Sequence, residues 1–101
     1  MVSAKQEILS LIGERNVLCA YIEYEYDWDE PLKKISLRRH YREDDWEAFL
    51  QALDFIYDDG YGGQVLFGTI WFTNGTWADR AEYDGSEWWV IRQMPIIPEH
   101  L

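Results

Sequence analysis

The residues of this 101-residue chain that could do chemistry are one cysteine, two histidines and a large excess of carboxylates. His40 and His100 are far apart, and neither has a second ligand four residues away, whereas a zinc site needs three or four ligands. Cys19 could use His40 as a base if adjacent strands brought them together, but the predicted strand pairing puts His40 opposite Tyr21. No basic residue adjoins Cys19 to activate it, so we interpret it as a small buried thiol.

The carboxylates do not follow a catalytic or metal-binding pattern. Residues 58–63, Asp-Asp-Gly-Tyr-Gly-Gly, lack the Lys-Ser or Lys-Thr pair of a phosphate-binding loop. They also lack the alternating oxygen ligands and the final glutamate of a calcium loop. Asp79 or Glu82 could serve as a general acid, but 19 acidic residues make chance pairs of carboxylates common. We therefore predict a protein that is not an enzyme and has no metal or cofactor site.

The overall charge restricts the partners of this chain. Nine Lys and Arg residues against 19 Asp and Glu give a net charge of −10, which disfavours direct binding to nucleic acid or to an anionic membrane. The same charge suits a basic protein partner, although it could simply keep an aromatic-rich chain in solution. No apolar run is long enough to span a membrane, and the N-terminus lacks a secretory core. We expect a cytoplasmic protein.

Two helices and two strands are predicted before residue 60. Ser3 and Gln6 form a capping box for a helix over residues 3–13, which Gly13 ends. Alternating apolar residues predict strands over residues 17–28 and 32–41. A second helix begins with an Asp44 to Glu47 capping box. Its apolar stripe is predicted to contain Trp46, Phe49, Leu50, Leu53, Ile56 and Tyr57.

The pairing of the two strands determines where uncompensated charge remains. A four-residue loop would place Asp27 opposite Lys34 and Glu23 opposite Arg38, so that acidic and basic rows neutralise each other. The surplus of acid would then lie on the second helix and the loop after it. Phe55 falls on the polar side of that helix, where either the first helix covers it or it is an exposed anchor for a partner.

Residues 65–94 predict three antiparallel strands joined by turns at Asn74-Gly75 and Asp84-Gly85. A two-residue Asn74-Gly75 loop would put Phe72, Trp77, Ile70 and Leu66 on one face, with Trp71 and Arg80 on the other. For the second turn, a two-residue loop would oppose Glu82 with Glu87 and place Arg80 beside Trp89. A longer loop with a bulge would avoid the like charges.

These elements predict a single α+β domain over residues 1–101 with the order α-β-β-α-β-β-β. We expect an antiparallel sheet of about five strands, with two helices packed on one of its faces.

Residues 60–99, GYGGQVLFGTIWFTNGTWADRAEYDGSEWWVIRQMPIIPE, resemble a pattern found in small uncharacterised acidic proteins of phages and mobile elements. The shared features are the IWF strand, the GTW turn, the EYDGSEWW segment and the closing Pro-x-Ile-Pro. The resemblance implies a phage-type setting, in which small acidic proteins often occupy the nucleic-acid-binding surface of a host protein. Anti-CRISPR and other counter-defence inhibitors are similar in size and charge.

We therefore expect a non-enzymatic protein-interaction module, an inhibitor of a basic host nucleic-acid-handling protein that acts in the host cytoplasm. The expected contacts are acidic side chains that set association rate and register, together with aromatic anchors. The expected partner-binding residues are Glu43, Glu47, Asp54, Phe55, Asp58, Asp59, Tyr61, Trp71 and Trp89. Two alternatives remain: a small-ligand-binding domain that uses an aromatic sheet face with Asp79 and Arg80, and a homodimeric accessory protein whose tryptophans lie in the interface.

Overall fold

The computed structural model describes residues 1–25, 31–60 and 62–101 of the chain. Its helices are α1 (Ala4–Ile12) and α2 (Glu43–Ala52). Its strands are β1 (Val2–Ser3), β2 (Val17–Tyr24), β3 (Lys33–Leu37), β4 (Ile56–Tyr57), β5 (Leu66–Phe72), β6 (Trp77–Tyr83) and β7 (Ser86–Arg92). An antiparallel sheet has the order β3-β2-β5-β6-β7, and β1 pairs with β4 in a separate two-stranded sheet. The predicted α+β class and the order of its main elements are confirmed, whereas β1 and β4 were not predicted.

The first helix begins and ends where the sequence predicts. The Ser3 hydroxyl accepts a hydrogen bond from the Gln6 N–H at 3.2 Å, which satisfies one of the free donors of the first turn. Gly13 has a φ of 53° and donates its N–H to the Leu9 carbonyl, which ends the helix. Ala4, Ile8 and Ile12 are fully or almost fully buried, so this stripe packs into the core.

The second helix differs from the prediction at both ends. The Asp45 carboxylate accepts from the Arg42 N–H at 2.9 Å, so the helix is capped from Arg42 and the predicted Asp44 to Glu47 box is wrong. The helix ends at Ala52, and Ile56 and Tyr57 form β4 instead of extending its apolar stripe. Pairing with β1 overrides the helical periodicity there, because β4 completes a ladder with Val2 and Ser3.

The loop between β5 and β6 has three residues, so the predicted two-residue loop is wrong. The Phe72 N–H donates to the Thr76 carbonyl at 2.9 Å, and the Phe72 carbonyl accepts from the Gly75 N–H at 3.3 Å. Gly75 has a φ of 86°, as expected for a turn followed by a glycine bulge. This shift by one residue pairs Trp71 with Trp77 and moves Arg80 to the opposite face of the sheet from the predicted one.

The turn between β6 and β7 has the simple two-residue form. Asp84 and Gly85 both have positive φ, and Arg80 pairs with Trp89 as this register predicts. Glu82 does stand opposite Glu87, but the two carboxylates do not share an environment. The Glu87 side chain is buried beside Arg80 whereas Glu82 is exposed, so repulsion between them is avoided.

The pairing between β2 and β3 also differs from the prediction. Glu23 stands opposite Lys34 rather than Arg38, and Asp27, its predicted companion in the acidic row, lies outside the described residues. The observed register places Ile22 opposite Ile35 within the buried core. Burial of such side chains contributes about 1.5–3 kcal/mol each, which outweighs exposed charge pairs worth about 0.2–1 kcal/mol.

The main sheet therefore has two different faces. The helix-covered face contributes the buried core, and the open face lies on the other side. The core is made of Ala4, Ile8, Ile12, Val17, Ala20, Ile22, Tyr24, Ile35, Leu37, Phe49, Leu53, Tyr57, Leu66, Ile70, Phe72 and Ala78. Gly68 permits close approach of β2 and β5, because a Cβ there would lie 2.3 Å from the Tyr21 carbonyl oxygen.

Candidate partner-binding site

An acidic surface is formed by α2 and the residues that follow it. Residues 43–59 contain seven Asp and Glu residues and no Lys or Arg. Glu43 and Glu47 lie one helical turn apart on α2 and are both exposed. Asp54 and Asp58 are also exposed, although both lie beyond the end of the helix. Folding thus leaves most of these carboxylates in contact with solvent.

These exposed carboxylates are not neutralised by the described part of the chain. Three ion pairs form among the described residues: Arg38–Asp45, Arg80–Glu87 and Arg92–Asp79. Only the Arg38–Asp45 pair involves the acidic surface. The hydrogen bond from the Arg42 N–H and the nearby guanidinium of Arg38 hold the pKa of the Asp45 carboxyl below its ordinary value. The Asp45 carboxylate therefore caps the helix and is not one of the carboxylates that remain for binding a partner.

The two aspartates after β4 have different roles. The Asp58 carboxylate accepts from the Gly60 N–H at 3.0 Å and remains exposed. The Asp59 carbonyl accepts from the Glu87 N–H at 2.8 Å, and Asp59 is only half-exposed. This bond holds the segment against β7. Tyr61, another predicted contact, lies outside the described residues.

A basic segment adjoins the acidic surface. Five of the nine Lys and Arg residues lie between residues 33 and 42, a stretch without acidic residues. The five are Lys33, Lys34, Arg38, Arg39 and Arg42, and all are exposed. In the observed register Lys34 stands opposite Glu23 of the preceding strand, whereas Arg38, the predicted partner of Glu23, pairs with Asp45 on α2. The chain therefore presents adjacent surfaces of opposite charge.

The predicted aromatic contacts do not share one surface. Phe55 stacks on Tyr24 with ring centroids 3.9 Å apart and packs against the core, and its carbonyl accepts from the Ala4 N–H of α1, so it is not an exposed anchor. Trp89 is half-buried on the helix-covered face, where the guanidinium of Arg80 lies 5.0 Å from its ring centroid. Trp71 is exposed on the open face. Trp71 and the acidic surface thus lie on opposite sides of the sheet.

Sequence reasoning missed a polar cluster buried beneath β6 and β7. Arg80 Nη2 donates to Glu87 Oε1 at 2.6 Å, and the two side chains are only 2% and 1% exposed. The Glu87 carboxylate also accepts from the N–H groups of Val65 and Leu66, at 2.8 and 3.0 Å. Arg80 Nε donates to the Leu66 carbonyl at 3.3 Å. Each oxygen of Glu87 therefore has a donor, which makes the carboxylate a structural acceptor.

The cluster occupies a gap between two strands. β5 pairs with β6 only over Thr69 to Trp71, so Leu66 has no ladder partner on the β6 side. In place of a neighbouring strand, the Glu87 carboxylate accepts from the Leu66 N–H and the Arg80 guanidinium donates to the Leu66 carbonyl. Buried backbone groups need such partners, because an unsatisfied one costs about 1–3 kcal/mol.

Tyr57 extends this cluster to α1. Its hydroxyl accepts from Arg80 Nη2 at 3.0 Å and donates to the Glu7 carboxylate. Burial raises the pKa of the Tyr57 phenol, which keeps the hydroxyl protonated as a donor. Burial also raises the pKa of the Glu7 carboxyl, while the hydrogen bond from Tyr57 opposes that shift. The alternation of apolar residues gave no signal for this network, because its four members come from four separate elements.

A groove of about 600 Å³ lies next to the cluster, between α1 and the edge strand β7. It is lined by Val2, Ser3, Gln6, Glu7, Ser10, Leu11, Trp88 and Trp89. Among the described residues, no acceptor reaches the buried Nε1 of Trp89 or the buried Nη1 of Arg80. The groove is therefore lined by aromatic rings and a carboxyl group, and two buried donors that have no acceptor among the described residues lie near it.

Comparison with known proteins supplies no model for the roles of the candidate surfaces. No protein-family model, curated protein sequence or solved structure matches this chain. The described residues contain no cluster of three or more His, Cys, Asp or Glu that could hold a metal ion. Within the same residues, no helix is long and apolar enough to cross a membrane. The geometry and charge of the surfaces are therefore the basis for a functional proposal.

Proposed function

We propose that this chain is a non-enzymatic protein-interaction module that binds a basic partner through the acidic surface of residues 43–59. The observation that carries this proposal is the set of exposed carboxylates outside the described ion pairs. Glu43 and Glu47 stand on a packed helix, so their positions are largely set before binding. Charges arranged in advance accelerate association with an oppositely charged surface and fix its orientation.

We further propose that the partner is a host nucleic-acid-handling protein and that binding blocks its nucleic-acid site. Such proteins need a cationic surface to hold phosphates. A chain with a net charge of −10 and an exposed acidic surface can compete for that cationic site. The proposed setting is that of a phage-type counter-defence inhibitor, of the anti-CRISPR kind, in the host cytoplasm.

The adjacent basic segment, residues 33–42, would limit which partners fit. A partner that covers α2 with a uniformly basic surface would also bring cations toward Arg38 and Arg42, which lie at the start of α2. The best fit is a basic patch bordered by acidic or neutral residues, because like charges across an interface are costly. The opposite charges of the two segments thus supply selectivity among basic proteins.

Two matched variants test the acidic surface. The first neutralises four carboxylates on this surface: Glu43→Gln, Glu47→Gln, Asp54→Asn and Asp58→Asn. The control neutralises four exposed carboxylates elsewhere: Glu14→Gln, Glu82→Gln, Asp84→Asn and Glu99→Gln. Both variants change the net charge from −10 to −6, so they differ only in the location of the lost charges.

Host lysate is passed over each immobilised protein at about 50 and about 200 mM salt, and the retained proteins are identified by mass spectrometry. We expect the native chain and the control to retain a basic nucleic-acid-binding protein that the first variant loses. The purified partner should then release nucleic acid when the native chain is added. Equal retention by both variants, or none by the native chain at either salt concentration, would overturn the proposal.

A small-ligand-binding function is a second candidate, favoured by the groove between α1 and β7. The residues that such a site would use differ from the predicted ones, because Asp79 and Arg80 point to opposite faces of the sheet and cannot contact one ligand on the same face. Glu7 and Trp89 line the groove instead, and the buried Nε1 of Trp89 offers a hydrogen bond.

A thermal-shift panel of sugars and nucleotides tests this second candidate. A ligand that binds the folded chain raises its melting temperature with concentration. The rise should shrink in Trp89→Phe, which keeps an aromatic ring but removes the donor. A panel without any shift, or an equal shift in Trp89→Phe, would contradict binding through this donor.

A further inference from the structure

The open face of the main sheet is aromatic. Its exposed rings include Tyr21, Phe67, Trp71 and Trp88, each retaining between 37% and 42% of its surface, and Tyr83 at the end of β6. Trp77 adjoins Trp71 across the β5–β6 ladder. An antiparallel sheet with one face in water usually presents polar residues there. Contiguous exposed apolar surface of this kind is typical of a protein interface.

The paired strand residues of this face balance in charge, although the whole chain is strongly acidic. Among the described residues that pair within the sheet, its charged residues are two cations, Lys34 and Arg92, and two anions, Glu23 and Asp79. Arg92 Nε bonds Asp79 Oδ1 at 2.8 Å, and Lys34 stands opposite Glu23. The described strands of the open face therefore present no excess charge that would attract a basic protein or a nucleic acid.

We propose that the open face binds the open face of a second copy of this chain, forming a two-fold symmetric dimer. Two chains with a net charge of −10 repel each other, and this neutral aromatic face is a side on which they can meet with little repulsion. In a two-fold dimer each copy contributes the same surface, so an apolar face without net charge is complementary to itself. The two sheets would pack about 10 Å apart, as in a β-sandwich.

The size of the face suits this assembly. Five strands about 4.8 Å apart and about seven residues long on average give a sheet of about 24 by 23 Å, or roughly 550 Å² in projection. A stable interface buries about 800 Å² of accessible surface on each partner, and side chains make the accessible area of a face larger than its projection. The open face thus provides most of a standard interface.

The C-terminal segment, residues 93–101, can supply the remainder. Its apolar residues Met94, Ile96 and Ile97 keep 71%, 91% and 73% of their surface exposed, so its own chain leaves them uncovered. The segment follows Arg92, whose side chain lies on the open face, and it can extend about 30 Å. This length is enough to cross the sheet of a second copy.

This dimer is independent of the proposed function. The helices lie on the other side of the sheet, so α2 and its carboxylates stay accessible when two open faces meet. Dimerisation would present two acidic surfaces to a partner and would increase binding through avidity. Loss of the dimer and loss of partner capture can therefore be measured separately.

Sedimentation analysis of the full chain over a range of concentrations tests the proposal. We expect the mass of two chains at micromolar concentration. Trp71→Lys and Trp88→Lys should each raise the dimer dissociation constant by at least about tenfold, because a charge is buried in the interface. The matched control is Ile56→Lys, at an exposed apolar position on β4. It makes the same change in net charge and should leave the dimer intact.

Circular dichroism and thermal melts establish that each variant folds. A native chain that stays monomeric at about 100 µM would overturn the proposal whatever the variants do. A dimer that persists in both folded tryptophan variants would overturn it too, since the interface would then lie elsewhere. Recovery of the native chain only in complex with another protein or a lipid vesicle would also count against a second copy as the occupant.

Cys19 provides a second measurement on the native sequence. It is the single cysteine of the chain, and it lies half-buried on the open face, opposite Trp71. The rate at which a thiol reagent modifies it should fall severalfold as protein concentration rises through the dimer dissociation constant. A rate that does not change while the mass doubles would show that another surface forms the dimer.

Discussion

Asp79 and Arg80 are adjacent on β6, and each forms an ion pair with β7, yet the two pairs are in opposite environments. Arg80–Glu87 lies on the helix-covered face, with side chains 2% and 1% exposed. Arg92–Asp79 lies on the open face, with side chains 48% and 32% exposed. The same two strands thus hold one ion pair in the core and another in water.

The two ion pairs differ in whether they form hydrogen bonds with the backbone of a neighbouring strand. Arg80 and Glu87 occupy the place where β5 and β6 separate, and they satisfy the backbone groups of Leu66. Arg92 and Asp79 balance each other's charge at the surface of an intact ladder. A buried pair of this kind fixes one arrangement of strands, whereas a surface pair adjusts local charge.

The largest effect should come from removing one member of the buried pair. Arg80→Met leaves the Glu87 carboxylate buried without its cation and removes one of the two donors to the Leu66 carbonyl, the other being the Gln64 side chain. We expect a loss of about 3–5 kcal/mol in the free energy of unfolding, measured by urea denaturation. Arg92→Met is the matched control on the open face and should cost less than about 1 kcal/mol. Similar losses in the two variants would refute the contrast between the faces.

The next effect concerns the strand next to the gap. Gly68→Ala places a Cβ 2.3 Å from the Tyr21 carbonyl oxygen, at a φ of 146°. β2 and β5 must separate to accommodate it, and we expect a loss of about 1–3 kcal/mol. Gly63→Ala is the control, since no atom lies within 4 Å of its added Cβ. Thermal melts of both variants check this, and a stable Gly68→Ala would mean that the strands can readily move apart.

A smaller, pH-dependent effect is expected where the buried cluster reaches α1. Because the folded chain raises the pKa of Glu7 from 4.5, this group favours folding most below the unfolded pKa. Its contribution is lost as the pH rises through the folded pKa. Gln in place of Glu7 can still accept from Tyr57 but has no charge to desolvate. The melting temperature of Glu7→Gln relative to the native chain should therefore rise between pH 4 and pH 7.

A comparison with Glu14→Gln provides the control, since Glu14 is exposed. If the difference between Glu7→Gln and the native chain stays constant with pH, or falls, then burial does not dominate the ionisation of Glu7.

The parts of the fold that depend on local sequence could be predicted. Ser3, Gln6 and Gly13 determine the ends of α1 through bonds within a few residues. Asp84-Gly85 supplies the two positive φ values of a tight turn. The pairing of β5 with β6 and of β6 with β7 also follows from such local signals, because a short turn joins each pair, whereas the pairing of β2 with β5 joins distant parts of the chain.

The buried cluster could not be predicted, because it depends on register and on distant contacts. Asn74-Gly75 suits either a two-residue loop or a three-residue loop with a glycine bulge, and a shift of one residue moves Arg80 from one face to the other. Glu7 and Tyr57 are fifty residues apart in sequence, and they meet only after β1 and β4 have paired. By contrast, the exposure of Glu43 and Glu47 follows from the helical periodicity of α2 alone.

The smallest effect should come from the pair on the open face. A double-mutant cycle with Asp79→Asn and Arg92→Gln should give a coupling of about 0.2–1 kcal/mol that declines as salt is added, because solvent ions screen both groups. The coupling should be measured on dilute, monomeric protein. At concentrations where two open faces meet, water would be excluded from the same pair, and the coupling should become larger and less sensitive to salt. A coupling that is already large and insensitive to salt in the monomer would mean that the open face is shielded within a single chain, which would remove the contrast with the buried pair.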